Sequence, residues 1–484
     1  MLTAFQDTIC APATKTGGAV AIVRVSGPEA LVCVDAVVSL RRGLACDAPG
    51  YSLRYGSAEG LDEVLVSIFR APHSYTGEDS AEISCHASPY IVGELLARLC
   101  AAGCRMAEPG EFTQRAFLNG KMDLAQAESV ADLIAADSRA AHDLAFKQLQ
   151  GQYSSEFKAL RDQLLTLASL LELELDFSEE ELEFADRTRL RTLTENALSR
   201  VVKLRDSYRL GNAVKAGVPV AIVGAPNAGK STLLNALLGE DRAIVSPIAG
   251  TTRDTIEEVM VMDGVKFRFI DTAGLRETSD LVEKLGVERS LQKLRSASIV
   301  VSLVECAGYR DGMQWPGEDT DAHLIKVLSK CDLAVGGCPE GADSHIVPGE
   351  CDLGEGGCPE DVDSHIVPGK CDLGVGGNWP EGVVLISAKT GAGMTELRRA
   401  LMDCSGLAGN WQDESIVSSA RHYNALCTAG EQLEDVLGAM RLGLPADLLA
   451  EHLRAAIASI SSIIGEISSD QVLGEIFSKF CIGK

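Results

Sequence analysis

The sequence predicts a multidomain chain: an α+β domain at the N-terminus, then an all-α helical domain, with an α/β phosphate-loop domain inserted into the helical one. Three observations carry that expectation. A chain of 484 residues is too long for a single core, because domains run roughly 100–200 residues. A glycine-rich run, Gly224-Ala225-Pro226-Asn227-Ala228-Gly229-Lys230-Ser231, sits mid-chain between strand-like and helix-like segments. Helix-patterned segments lie on both sides of that unit, and packing them on each other is the simplest way to bury their apolar faces.

Residues 1–121 mix strand and helix signals. Ala19 to Val25 reads as a strand, Ala30 to Leu40 as a helix, Val64 to Phe69 and Ala81 to Cys85 as strands, and Tyr90 to Leu99 as a helix. Pro109-Gly110-Glu111-Phe112 breaks the helical pattern. Residues 122–215 are helical: Phe157, Leu160, Leu164, Leu167 and Leu171 recur at helical spacing, and the acidic stretch Asp176 to Glu183 marks a turn between long helices. Composition changes at Ala216-Gly217-Val218-Pro219. Residues 216–404 then carry strands at Val220 to Val223, Phe267 to Ile270, Ile299 to Leu303, Leu324 to Leu328 and Val383 to Ile386, each followed by a nucleotide motif or a helix. Inside this unit, at about residues 331–378, Cys331-Asp332-Leu333 recurs as Cys351-Asp352-Leu353 and Cys371-Asp372-Leu373. The Gly, Pro and Asp content of this tandem repeat predicts an expanded surface loop. Residues 405–484 return to helix, at Ser415 to Met440, Ala446 to Ile467 and Gln471 to Phe480.

Bulk properties narrow the function classes. No apolar run reaches the ~18 residues that span a bilayer, and the N-terminus lacks a basic start followed by an apolar stretch. A cytoplasmic protein without a membrane partner is expected. The 15 cysteines are odd in number and form no Cys-x-x-Cys pair, which argues against a disulfide framework and a zinc site. Cys100 and Cys104 are expected on one face of a helix. A net charge of −25 argues, taken alone, against a nucleic-acid partner, although a local basic patch can still hold phosphate.

The motifs after the phosphate loop come in a fixed order: Gly250-Thr251-Thr252-Arg253-Asp254, Asp271-Thr272-Ala273-Gly274, Ser329-Lys330-Cys331-Asp332 and Ser387-Ala388-Lys389. Together they specify a guanine-nucleotide switch of the P-loop GTPase (Ras-like) class. Backbone N–H groups from Asn227, Ala228 and Gly229 to Thr232 cradle phosphates at a helix N-terminus. Lys230 reaches the β- and γ-phosphates, and Ser231 ligates Mg2+. Thr252 is the candidate second Mg2+ ligand and γ-phosphate sensor, Asp271 holds the metal through water, and the Gly274 amide meets the γ-phosphate. Asp332 accepts two hydrogen bonds from guanine, flanked by Ser329, Lys330 and the Ser387-Ala388-Lys389 segment. Ser329 replaces the usual Asn, which predicts weakened affinity. Asp372 and Asp352 compete for the same role in later repeat copies, and Asp332 is preferred because it directly follows a strand. Leu275 stands where many switches carry a water-orienting Gln, which leaves Glu277 and Glu283 as candidates.

The chain ends Cys481-Ile482-Gly483-Lys484, and with that ending it resembles from end to end the tRNA-modification GTPase family MnmE, also called TrmE. The resemblance includes Gly17-Gly18, Ile22 to Gly27, Ser74-Tyr75-Thr76-Gly77-Glu78-Asp79, Pro109 to Lys121 and Asp123 to Glu128. It implies a tetrahydrofolate-binding-like dimerisation domain over residues 1–121, with Arg24, Glu82, Lys121 and Lys484 matching positions that hold 5-formyl-tetrahydrofolate or another one-carbon tetrahydrofolate. It implies a GTPase activated by K+, with Asn227, Ser246, Ile248 and Thr251 matching the cation site, and Ser246, Pro247, Ile248, Ala249, Gly250, Thr251 and Thr252 forming the first switch. Glu283 matches the water-orienting glutamate, and Cys481 is a candidate thiol in the folate pocket. The implied assembly is a homodimer that joins a flavin-dependent MnmG-type partner as a heterotetramer. The implied activity is transfer of a carboxymethylaminomethyl-type group to C5 of wobble uridine (U34) in certain tRNAs. Cys85-His86-Ala87-Ser88 departs from the family's glycine-rich run, and its side chains are expected to narrow the folate pocket. The alternative reading is a ribosome-assembly GTPase that binds rRNA.

Overall fold

The computed structural model describes residues 7–15, 17–176, 187–240, 258–270, 297–310, 312–320, 322–334, 382–407, 415–466, 470–478, 480 and 483. The chain divides into two compact units. One comprises Met1–Ala136, His142–Tyr208 and Ser415–Lys484, and the other Asp137–Ala141 and Arg209–Glu414.

The first unit begins with a seven-stranded mixed sheet in the order β3-β4-β5-β6-β2-β1-β7. Its strands are β1 (Ile9–Pro12), β2 (Val20–Ser26), β3 (Ser39–Leu40), β4 (Ser52–Ala58), β5 (Asp62–Phe69), β6 (Ser80–His86) and β7 (Arg105–Met106). Alternation along the strands puts Val23, Val64, Val66 and Ile83 on one face, where they pack with Val34 of α1 (Ala30–Val37) and Leu95 of α2 (Pro89–Ala101). The opposite alternation leaves Arg24, Glu82 and Leu65 on the other face. The helix expected to reach Leu40 stops at Val37. The next residues, Val38 and Ser39, turn extended, and β3 pairs with β4 through Ser39↔Ser57 and Leu40↔Gly56. Gly56 permits this, because a Cβ there would lie 2.8 Å from the Ser39 carbonyl oxygen. The cysteine expectation is also corrected: α2 ends at Ala101, so Cys104 lies beyond it, and Cys100 instead approaches Cys10, 4.0 Å between sulfurs.

The helical part of this unit comes from two distant stretches of chain. The first holds α3 (Glu111–Leu118), α4 (Leu124–Ala135), α5 (Arg139–Leu149), α6 (Gln152–Asp176) and α7 (Arg187–Asp206). An Asp123–Gln126 capping box starts α4. Phe157, Leu160, Leu164 and Leu167 of α6 form one buried core with Leu426, Leu433, Leu453 and Ile460 from the C-terminal stretch. That stretch holds α12 (Ala420–Arg441), α13 (Ala446–Ile464) and α14 (Asp470–Phe477).

Three expected helix limits change here. Residues 415–419 are not helical: Ile416 and Val417 are buried, and Gln148 and Ser207 side chains bond their backbone groups. α13 stops at Ile464, because Gly465 turns left-handed (φ 84°) against the Phe117 ring. α14 ends at Phe477, and Phe480 folds back so that its ring lies 5.5 Å from that of Phe477.

The second unit holds α8 (Tyr208–Ala216) and a six-stranded sheet in the order β13-β12-β11-β8-β10-β9. Its strands are β8 (Val218–Gly224), β9 (Glu258–Met262), β10 (Val265–Ile270), β11 (Ile299–Glu305), β12 (His323–Ser329) and β13 (Val383–Leu385). All neighbours run parallel except the β9–β10 hairpin. Phe267, Ile299, Val301 and Val327 are fully buried, as strands sandwiched by helices require. The helices α9 (Lys230–Glu240), α10 (Cys331–Ala334) and α11 (Met394–Ser405) complete the described part. Among the described residues, no helix is long and apolar enough to cross a membrane, and no cluster of three His, Cys, Asp or Glu is set to hold a metal.

Candidate functional site

In a parallel sheet the strand order reverses at a switch point, and ligands bind outside the carboxyl ends of the strands there. Here the chain leaves β8, builds β9 and β10 on one side, then returns to β11 on the other. The loop after β8 therefore opens at the switch point, and it is the phosphate-loop sequence. Gly224 lets β8 approach β11, since a Cβ would lie 2.3 Å from the Leu303 carbonyl oxygen. Asn227 (φ 65°) and Gly229 (φ 93°) are both left-handed, which turns the loop back onto the start of α9. Asn227 is exposed and Ala228 is buried.

Lys230 opens α9 and curls over the loop. Its Nζ donates to the Gly224 carbonyl at 2.9 Å and the Ala225 carbonyl at 2.8 Å. Burial lowers its pKa from the usual lysine value. This places the Lys230 amine at the helix N-terminus, where the macrodipole also favours anions. Ser231 is half-buried and Thr232 exposed in the same first turn.

The end of β12 meets this loop. The Ser329 hydroxyl donates to the Ala228 carbonyl at 2.7 Å and lies 3.3 Å from the Val304 carbonyl. The residue in the usual Asn place thus ties the end of β12 to the phosphate loop across 101 positions of sequence. Lys330 takes a left-handed backbone (φ 56°) and pairs with Glu305 at the end of β11. Cys331 packs its sulfur 2.8 Å from that of Cys306, and its amide donates to the Ile386 carbonyl at 3.2 Å. Asp332, half-buried, follows in the first turn of α10. Ser387 is buried and accepts from the Thr390 amide, while Ala388 is half-buried and Lys389 exposed. Glu305 and Cys306 were missed in the sequence; a polar residue at the C-terminal end of an otherwise apolar strand was the available signal.

Ser246, Pro247, Ile248, Ala249, Gly250, Thr251, Thr252, Asp271, Thr272, Ala273, Gly274, Glu277 and Glu283 lie outside the described residues. So do the competing repeat aspartates Asp352 and Asp372, along with Cys481 and Lys484.

A second cluster forms on the open face of the N-terminal sheet. Arg24 and Glu82 face each other in the β2–β6 register and form an ion pair at 2.8 Å. Arg24 also donates to the Gly483 carbonyl at 3.2 Å, so Gly483 lands on this strand pair. Gly483 is left-handed (φ 91°), and a Cβ there would lie 2.1 Å from the Pro12 carbonyl oxygen. Only glycine fits that position. The Arg24 guanidinium sits over the Tyr75 and Phe112 rings, 5.4 and 5.6 Å from their centroids. Burial raises the Tyr75 phenol above its usual value, and its hydroxyl lies 2.8 Å from that of Thr113. Lys121 does not join the pair. Its Nζ donates to the Pro72 carbonyl at 2.8 Å and so holds the loop that carries Tyr75. In the Cys85-His86-Ala87-Ser88 run, Cys85 and Ala87 point into the helix-packed core, while His86 pairs with Asp62 at 2.8 Å. The bulk of Cys85 and Ala87 therefore goes into the core, away from the face that bears Arg24.

Comparisons with known proteins agree over the whole length. A family model described as the MnmE helical domain matches residues 124–481, and one described as the GTP-binding protein TrmE N-terminus matches residues 8–121. The tRNA modification GTPase MnmE of Bacteroides thetaiotaomicron is 45% identical over 493 residues, covering 99% of this chain and 100% of the relative. Its counterpart in Porphyromonas gingivalis is 46% identical over 498 residues, covering 99% and 98%. That of Cytophaga hutchinsonii is 42% identical over 490 residues, covering 100% and 99%. The FeoB G domain of Methanococcus jannaschii, a solved structure, aligns with 39% of this chain and 98% of its own at 18% identity and a TM-score of 0.22, too slight a likeness to bear on the fold. With both family models matching and such identity from end to end, the chain belongs to the MnmE family of tRNA modification GTPases.

Proposed function

We propose that this chain hydrolyses GTP to time a tRNA modification, and that the modified base is wobble uridine at C5. The observation that carries the hydrolase is the Lys230 ammonium poised over a left-handed glycine loop at the sheet's switch point, with Ser329 bracing that loop from the guanine side. Family membership supports the tRNA substrate.

In this reading Lys230 and the amides of Asn227 to Thr232 bind the phosphates, and Asp332 selects guanine. Ser231 and Thr252 are the Mg2+ ligands. Asn227, Ser246, Ile248 and Thr251 take K+. The donor set fits in its described part: the Ser231 hydroxyl lies in the first turn of α9, and the Asn227 amide is exposed at the loop mouth. Bound cations supply positive charge opposite the phosphates. Asp271 and Gly274 sense the γ-phosphate, and Glu283 orients the attacking water. Arg24, Glu82, Lys121 and Lys484 belong to a one-carbon tetrahydrofolate pocket. The Arg24–Glu82 pair fits the chemistry of that group, since a guanidinium suits its glutamate tail and a carboxylate its pterin edge. The partners are a second copy of the chain and a flavin-dependent MnmG-type protein.

Nucleoside analysis of tRNA from cells lacking this gene tests the reading. The C5-modified wobble uridine should disappear. Unchanged tRNA with defective ribosomal subunits would instead favour the ribosome-assembly alternative. Hydrolysis should also be several-fold faster in K+ than in Na+; equal rates remove the cation site from Asn227. Asp332→Asn should move nucleotide preference from GTP toward xanthosine triphosphate, measured by competition. If Asp372→Asn does so instead, a later repeat copy supplies the base contact.

A further inference from the structure

Far along the N-terminal sheet from the Arg24 pair, where β3 ends, a cavity of about 460 Å³ is lined by Arg41, Arg42, Leu53, Arg54 and Tyr55. β3 covers β4 only as far as Gly56, with one more backbone bond from the Arg41 amide to the Tyr55 carbonyl. Among the described residues, the outer edge of β4 before Tyr55 thus has no neighbouring strand and opens into this cavity.

Three guanidinium groups gather there on a chain whose net charge is −25. Among the described residues none of the three has a carboxylate partner. Arg41 lies over the Tyr55 ring, 4.5 Å from its centroid. The Arg54 Nε is buried without a hydrogen-bond acceptor. Glu63, an acidic side chain beside the cluster, is engaged by the Tyr55 hydroxyl. A buried N–H without an acceptor costs roughly 1–3 kcal/mol, so an acceptor from outside the chain is the natural complement. Guanidinium forks match phosphate oxygens two at a time, and the half-buried Tyr55 ring beside them offers a base a surface to stack on.

We propose that the Arg41–Arg42–Arg54 cavity is a contact site for the phosphodiester backbone of tRNA, with Tyr55 as the stacking surface. It rests on the tRNA reading above and deepens it by naming where an acidic chain holds a polyanion. The site shares no residue with the nucleotide motifs, so its loss is read in tRNA binding, with basal hydrolysis as the control.

The test is fluorescence anisotropy of the full-length protein with labelled bulk tRNA across a salt series. Arg41→Gln/Arg42→Gln/Arg54→Gln should weaken binding roughly tenfold or more and reduce the salt slope by about 2, one phosphate contact being worth about 0.7–0.9. Basal GTP hydrolysis without tRNA should be unchanged, which reports that the variant is folded. The triple Lys variant should keep the salt slope. Unchanged tRNA affinity and slope in the triple Gln variant overturn the proposal. So does saturable binding of inorganic phosphate that the Gln changes abolish while tRNA affinity stays the same, which would mark a small-anion pocket. Loss of a dimer in the Gln variant with tRNA affinity intact would make the cavity a subunit contact and equally overturn it. If the wild type itself binds no tRNA, the tRNA reading fails and takes this site with it, a result distinct from all the others.

Discussion

Lys230→Ala is expected to lower GTP turnover by about 100-fold or more, the usual cost of removing one preorganised charge from a transition state. The ammonium reaches the loop mouth because Gly224 and Gly229 allow the chain to turn there, and its two carbonyl bonds hold it in place before nucleotide arrives. Lys230→Arg should not rescue turnover, because a planar fork does not fit the place of a point charge. The second readout is thermal. Nucleotide raises the melting temperature of the wild type by mass action on the folded state, and that increment should largely vanish in Lys230→Ala. Turnover within a factor of a few of wild type would remove Lys230 from the phosphate site.

The largest expected effect on stability lies in the helical core. Glu128 of α4 accepts from Arg421 Nε at 2.7 Å and lies 2.9 Å from His422 Nε2. Arg421 also donates to the Ser462 and Ile463 carbonyls at the end of α13, at 2.7 and 2.9 Å. The His422 Nδ1 meets the Tyr153 hydroxyl of α6 at 3.0 Å. Four helices from both stretches of chain thus share one polar cluster. Burial would raise the Glu128 carboxyl, but attraction to His422 and Arg421 with their hydrogen bonds outweighs it and holds the group down at about 2. His422 is itself pushed below its usual value by burial, against the pull of Glu128. A neutral imidazole cannot also lend a full positive charge. The Arg421 Nη2 also donates to His422 Nε2 at 2.8 Å, so that nitrogen accepts, and the downward direction for Glu128 stands on the permanent Arg421 charge and its Nε–H bond.

Arg421→Ala should destabilise this unit by about 3–5 kcal/mol, since it leaves a buried carboxylate and two carbonyls unpaired. Chemical denaturation read by hydrogen exchange on α12 and α13 measures it. A loss under about 1 kcal/mol would show that the cluster relaxes onto water. The pH dependence has a definite sign. The Glu128 carboxyl is lower in the folded state than its unfolded value of 4.5, so its contribution is fully present above that pH and is lost as pH falls toward about 2. The His422 value is also lower in the folded state, so acidification below 6.5 removes stability in the same direction. Glu128→Gln should flatten the acid limb by on the order of 3 kcal/mol, at 1.36 kcal/mol per unit. An unchanged limb would place the acid sensitivity elsewhere.

Sequence and structure divide the information along physical lines. The phosphate loop, Asp332 and Ser387 could be read directly, because each is a short local run at the end of a strand whose apolar pattern is itself local. Long helices such as α6 were equally legible from the recurrence of Phe157, Leu160, Leu164 and Leu167. The edge strands β3 and β7 and the polar β4 beside β3 were not: they are short or polar, and they are strands only because a neighbour offers hydrogen bonds. Helix ends at Val37 and Ile464 were misjudged for the same reason, since pairing with β4 and the Phe117 ring decide them.

By itself, the sequence determined the class of chemistry, through motifs whose order along the chain mirrors the strands that present them. Tertiary structure alone decided which distant groups meet. Gly483 reaches Arg24, Ser329 braces Ala228, and Arg421 closes on Glu128. Each of these contacts joins positions about a hundred to several hundred residues apart. No local periodicity encodes them; the requirement to satisfy buried charges and backbone groups once the sheets and helices have packed does.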